Sequence, residues 1–277
     1  MATEIYLGLP PENIVNWIKN TERLKKPLCF TAEEAGSTIK MFKNSSAPTV
    51  YLETSTTSEE GSWTDFTVCT FNNDTFEAND DGTIITLTNI GDKVYFRAKQ
   101  DNWQFANNVN EVNQFVMTGK IAASGNINTL LKADGSVLDL TGRDCCYYNM
   151  FSGCTSLTQA PELPATTLVN YCYSGMFSNC TSLTQAPALP VTTLANGCYN
   201  SMFLGCTSLT QAPELPATTL VDSCYSGMFR RCTSLTQAPA LPATTLADYC
   251  YNSMFEGCTS LTQTPELPVT TLAKWCY

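Results

Sequence analysis

Fourteen cysteines are the residues of this 277-residue chain with the most chemistry to offer. They could hold zinc, pair as disulfides or fill a core, and their spacing separates the three. No Cys-x-x-Cys pair and no histidine occur, and the recurring separations of eight and eighteen residues match no zinc finger. The lack of histidine also rules out a Ser-His-Asp or Cys-His nucleophile and an imidazole base. Placed on a helix, Cys172 and Cys180 would lie about 12 Å apart, beyond the roughly 7 Å over which two Cα atoms can be bridged. The remaining expectation is free thiols stacked as small apolar ladders in a core. Cys29, Cys69 and the Cys145-Cys146 pair stand outside the strict pattern.

The acidic residues offer less. Glu77-Ala78-Asn79-Asp80-Asp81-Gly82 alternates acidic or amide side chains before a glycine, as a calcium loop does, but Thr88 stands at its twelfth position, where a bidentate glutamate is required. A hairpin turn at Asp81-Gly82 explains the segment more simply. No carboxylate pair stands at a spacing that marks glycoside hydrolysis. A net charge of -10, from 15 basic and 25 acidic residues, argues against nucleic acid as a partner. The expectation is a protein that is no enzyme and carries no cofactor and no metal.

What positions the cysteines is a repeat. From Cys145 onward the sequence is self-similar every 26 residues: Met150-Phe151, Met176-Phe177, Met202-Phe203, Met228-Phe229 and Met254-Phe255 each precede Cys-Thr-Ser-Leu-Thr by two variable residues. A second cysteine recurs at 146, 172, 198, 224, 250 and 276, always before tyrosine, and Pro-x-Leu-Pro-x-Thr-Thr-Leu lies between the two. A fixed period of this length signals a solenoid. Leu168, Cys172, Met176 and Cys180, at steps of four, predict one side of a helix, followed by a short strand over 181–186 and a proline turn. One copy could not fold alone, because ordering 26 residues costs more than its few apolar side chains return.

Phe-x-x-Cys-Thr-Ser-Leu-Thr together with Pro-x-Leu-Pro-x-Thr-Thr-Leu resembles the BspA-like class of leucine-rich repeats found in surface proteins of gut Bacteroidales. The lead-in from Phe115 to Ile127 resembles the segment that precedes such repeats. The resemblance implies an α/β leucine-rich-repeat solenoid with an extracellular binding or adhesive role. The copies also alternate in pairs, with Tyr-Ser-Gly at 173 and 225 against Tyr-Asn-Ser at 199 and 251, which points to duplication of a 52-residue unit.

Positions that differ between copies locate the adjustable surface. Two residues follow each Met-Phe, such as Arg230-Arg231 and Glu256-Gly257, and two precede each Cys-Tyr, such as Asp248-Tyr249 and Lys274-Trp275. Buried sites could not accept Arg, Glu and Gly alike. Either these residues are tolerated on a solvated edge, or Arg230, Arg231, Tyr249, Glu256, Lys274 and Trp275 recognise a partner.

Ahead of the repeats, short alternating runs at 49–53, 63–70, 83–88 and 93–98 predict a small β-sandwich. Before it, residues 12–26 carry Ile14, Trp17, Ile18 and Leu24 on one stripe, an amphipathic helix that docks either on its own sandwich or on another protein. The expected organisation is thus an α+β chain: an N-terminal anchor segment over 1–28, a small β-sandwich over 29–118, a connector and solenoid cap over 119–149, and an α/β leucine-rich-repeat solenoid over 150–277.

Neither a secretory signal at Met1 nor an apolar run long enough to span a membrane is read. These features suggest a virion fibre or decoration protein at the virion surface, which displays the repeats to a host-surface protein or glycan and meets other virion proteins through its N-terminal segment. The alternative is a BspA-like adhesin on the bacterial cell surface, and a third reading is a structural spacer. A homo-oligomer fits any of them.

Overall fold

A computed structural model describes residues 22–44, 46–72, 77–269 and 271–277. Its strands are β1 (Leu28–Ala32), β2 (Ser37–Lys43), β3 (Leu52–Ser55), β4 (Thr64–Phe66), β5 (Cys69–Asn72), β6 (Glu77–Ala78), β7 (Ile85–Leu87), β8 (Lys93–Ala98), β9 (Ala106–Asn108), β10 (Glu111–Thr118), β11 (Ile121–Ser124) and β12 (Leu157–Gln159). They form two mixed sheets, one in the order β12-β11-β1-β8-β3-β4 and one in the order β6-β5-β2-β10-β9 with β7 also on β2. Alternate residues are buried along β2 (Ser37, Ile39, Met41) and β8 (Val94, Phe96, Ala98), the period of two that a half-covered strand imposes. Across the core, Phe115 of β10 meets Phe30 of β1 and Phe96 of β8 edge to face, at centroid distances of 5.2 and 5.5 Å. The Asp81-Gly82 hairpin is absent, since β6 pairs with β5 and β7 with β2.

The expected α+β class does not hold. Among the described residues the chain is built of strand and turn, with one 3-10 turn at Ile127–Leu130 and a helical fragment at 22–24, and the repeats contain no helix. The α/β leucine-rich-repeat solenoid is therefore corrected to a column of stacked turns. The backbone shows why. Tyr171, Gly175 and Asn179 have φ of 56°, 62° and 58°, and the same three places in later copies are again left-handed. A left-handed residue at every fourth position ends each helical turn as it begins. Cys172, Met176 and Cys180 are fully buried, as steps of four require, but on successive turns rather than on a helix.

Backbone hydrogen bonds divide by parity. Cys172, Ser174, Met176 and Ser178 donate their N–H three residues back, closing turns, while Tyr173, Gly175, Phe177 and Asn179 donate to Cys198, Asn200, Met202 and Leu204 of the next copy. Half of this segment's donors thus shape a copy and half join it to its neighbour, which satisfies the buried backbone without regular secondary structure. Two aromatic columns result. Tyr147, Tyr173, Tyr199, Tyr225, Tyr251 and Tyr277 stack at 5.6–6.0 Å, beginning on Phe105; Phe151, Phe177, Phe203, Phe229 and Phe255 stack at 5.6–5.9 Å, beginning on Phe115. Backbone N–H groups of Phe105, Phe115, Ile121 and Ile127 donate into the first copy, so residues of both sheets stand where a preceding copy would.

Most of the predicted anchor helix, with Ile14, Trp17 and Ile18, lies outside the described residues. Its described end is tied to its own chain: Leu24 is half-buried, its carbonyl accepts from Asn126 Nδ2 at 2.7 Å, and Arg23 reaches Glu162 at 3.5 Å. No anchor helix stands apart there. Gly125 permits this junction, with φ of 78° and its Cα so close to the Pro27 carbonyl oxygen that a Cβ would overlap it. Gly125→Ala should therefore cost about 3 kcal/mol or more, read as a lower urea midpoint. An unchanged midpoint would show that the junction yields freely.

Candidate recognition surface

The cysteines are core. All fourteen are unpaired, and every one except the half-buried Cys258 is buried. Cys154, Cys180, Cys206, Cys232 and Cys258 each donate their thiol to the carbonyl of the phenylalanine 29 or 39 residues earlier, at 3.0–3.1 Å. That contact explains a thiol where alanine would otherwise fit: the S–H supplies a donor that a methyl group lacks. Burial pushes Cys172, Cys224 and Cys232 up to about 12, which keeps them protonated and unreactive.

Concave sites are shallow. A groove of about 580 Å³ lies beside Pro161, Pro164, Pro187 and Pro190, and another of about 530 Å³ beside Pro239, Pro242, Pro265 and Pro268. Their charged members are Arg23 and Glu162 in the first and Glu266 in the second. Among the described residues, no group of three His, Cys, Asp or Glu side chains could hold a metal, and no helix is long and apolar enough to cross a membrane.

The variable positions form two rows along the column. In the first, Arg230 and Glu256 of consecutive copies pair at 2.6 Å, and the guanidinium holds the Glu256 carboxyl below the usual carboxylate range. Arg231 is exposed beside them at φ 62°. In the second, Tyr249 and Trp275 have φ of 57° and 51°, and Lys274 places its ammonium 5.9 Å from the centre of the Tyr249 ring. The six predicted residues thus fall into two groups of three, and among the described residues no hydrogen bond, ion pair or ring contact joins the groups.

Tyr171 belongs to the second row and was not singled out from sequence. It is 43% exposed at φ 56°, and its ring covers Gly197 so closely that a Cβ there would overlap it. Gly205 is covered in the same way by the Asn179 side chain, and Gly257 by Arg231, whose Cγ would lie 3.3 Å from a Cβ. At these three places a side chain at a left-handed position leans over the next copy, and glycine there makes the room, whereas Tyr249 is followed by Trp275. Protein-family models, curated proteins and solved structures, each compared with the chain, give no match.

Proposed function

We propose that this chain is a non-enzymatic surface recognition protein, a virion fibre or decoration protein that presents its column of repeats to a bacterial host surface. One observation carries the reading. Tyr171, Arg231, Tyr249 and Trp275 are exposed, bulky and left-handed, a conformation costing about 1–2 kcal/mol each, while Gly153, Gly197, Gly205 and Gly257 show that glycine fits the same places. Strain kept on a surface where a relaxed alternative exists in the neighbouring copy points to use of the side chain.

The thiols support the virion over the cell surface. A chain sent through an oxidising compartment would expose fourteen unpaired cysteines to oxidation before folding, whereas a virion assembles among reduced thiols. The second reading, a bacterial adhesin, draws on the motif's resemblance to BspA-like repeats.

Function and stability should separate in Arg231→Gly and Tyr249→Gly. Each is expected to raise stability by about 0.5–1 kcal/mol, the relieved strain less the added freedom of the unfolded chain, and to weaken binding of the labelled protein to Bacteroidales cells. Undiminished cell binding by both variants would sink the reading.

A further inference from the structure

One pair per copy runs the length of the column: Asp144-Cys145, Asn170-Tyr171, Asn196-Gly197, Asp222-Ser223, Asp248-Tyr249 and Lys274-Trp275, all exposed except Cys145 and Gly197, which are buried, and Ser223, which is half-buried. The first members make a polar ladder. Asp222 Oδ1 accepts the Asp248 N–H at 3.2 Å and Asp248 Oδ1 accepts the Lys274 N–H at 3.0 Å, while Asn170 Nδ2 donates to Asp144 Oδ2 at 3.2 Å. Asp222 and Asp248 each spend one oxygen on a backbone N–H of the next copy, Asp144 spends one on the Asn170 side chain, and these exposed carboxylates keep their remaining accepting capacity for solvent or ligand. The second members supply flat apolar faces. Tyr249 and Trp275 are on neighbouring copies, 38% and 63% exposed, and Tyr171 stands three copies before Tyr249, with only Gly197 and Ser223 between.

Separated rings flanked by carboxylates and amides suit a ligand that alternates a stackable face with hydroxyl groups. A protein partner would instead call for a contiguous apolar patch, which Gly197 and Ser223 interrupt. The copies repeat at 5.6–6.0 Å along the tyrosine column, comparable to the length of one pyranose ring with its linkage, so that successive copies can meet successive sugar units. Three aspartates, Asp144, Asp222 and Asp248, outweigh the single Lys274 on the row, and with a net charge of -10 overall they repel an anionic polymer.

We infer that this row binds a linear, uncharged glycan laid along the column, with Tyr171, Tyr249 and Trp275 stacking on its rings and Asn170, Asp222 and Asp248 bonding its hydroxyls. The inference deepens the recognition reading and rests on it. Five sugar units span the four steps from Tyr171 to Trp275.

The test is affinity gel electrophoresis of the full chain in mannan, xylan, mixed-linkage glucan and dextran, with heparin and polygalacturonate alongside. At least one neutral polymer should retard the protein and neither anionic one should. Tyr171→Gly and Trp275→Gly, which place at each site the residue found at position 197, should each weaken that retardation about tenfold. Calorimetry with oligosaccharides of the retarding polymer should show affinity rising to about five units and then levelling. No retardation by any neutral polymer, equal retardation by heparin, or an affinity independent of length overturns the inference. Cell binding that survives periodate but not protease overturns the glycan while sparing recognition by the row; failure to bind cells at all overturns both.

Discussion

Above pH 9 the protein is expected to lose stability steeply, far more steeply than its exposed lysines and tyrosines would allow. The thiols of Cys172, Cys224 and Cys232, raised to about 12 by burial, stay protonated in the folded column while the unfolded chain releases its protons near the ordinary value of 9.0. Between those values the folded state holds more protons, so stability falls as pH rises, by about 1.4 kcal/mol per pH unit for each such thiol. Below about pH 8 both states hold the proton and these groups contribute no pH dependence. The buried hydroxyls of Tyr147, Tyr173 and Tyr199, raised by the same desolvation, extend the loss above pH 10. Urea midpoints from pH 7 to 11 measure it, with thiol alkylation as a second readout: Cys172 and Cys224 should resist labelling until the midpoint collapses. A flat profile across that range would mean that the thiols are not held in an apolar core.

Phe203→Ala should cost about 3–5 kcal/mol and Phe255→Ala less than half of that. The Phe203 ring is fully buried between Phe177 at 5.8 Å and Phe229 at 5.7 Å, and its carbonyl takes the Cys232 thiol at 3.0 Å. Phe255 is half-buried and stacks on Phe229 alone among the described residues. Because each copy is stabilised by its neighbours, a gap in the middle weakens two interfaces and a gap near the end weakens one. Equal losses in thermal unfolding would show that the copies do not depend on one another.

The buried residues of the repeats are legible in the sequence, whereas their backbone is not. Steps of four between Cys172, Met176 and Cys180 mark one buried side both in a helix and in a series of four-residue turns, so hydrophobic spacing cannot separate the two. The distinguishing signal is the residue at the fourth place: Gly175, Gly197, Gly205, Gly227 and Gly257, with Asn149, Asn179 and Ser201, are types that favour turns over helix interiors. Strand β8 coincides with the run read at 93–98, because its alternation is strict, while β2 and β10 went unread, their apolar residues being crowded by Lys40, Lys43, Asn113 and Gln114. The variable pairs could be found by comparing copies, but not that their second members are left-handed, which is what sets Tyr171 in one row with Tyr249 and Trp275.

The side chains that lean across copies also constrain how the array can be inherited. Along one row the chain reads Asn149, Gly175, Ser201, Gly227, Ser253, and the Asn149 side-chain oxygen fills the space that a Cβ at 175 would need, as Ser201 Oγ comes within 3.1 Å of one at 227. Recombination that deletes the copy carrying Gly175 would set Asn149 against serine, whereas deletion of 52 residues returns a glycine to that place. Loss of one copy is therefore sterically free where it removes a serine, as Ser201 between Gly175 and Gly227, whereas loss of a glycine copy sets two bulkier residues against each other, so the steric pairing of neighbouring turns biases which copies an array can shed singly.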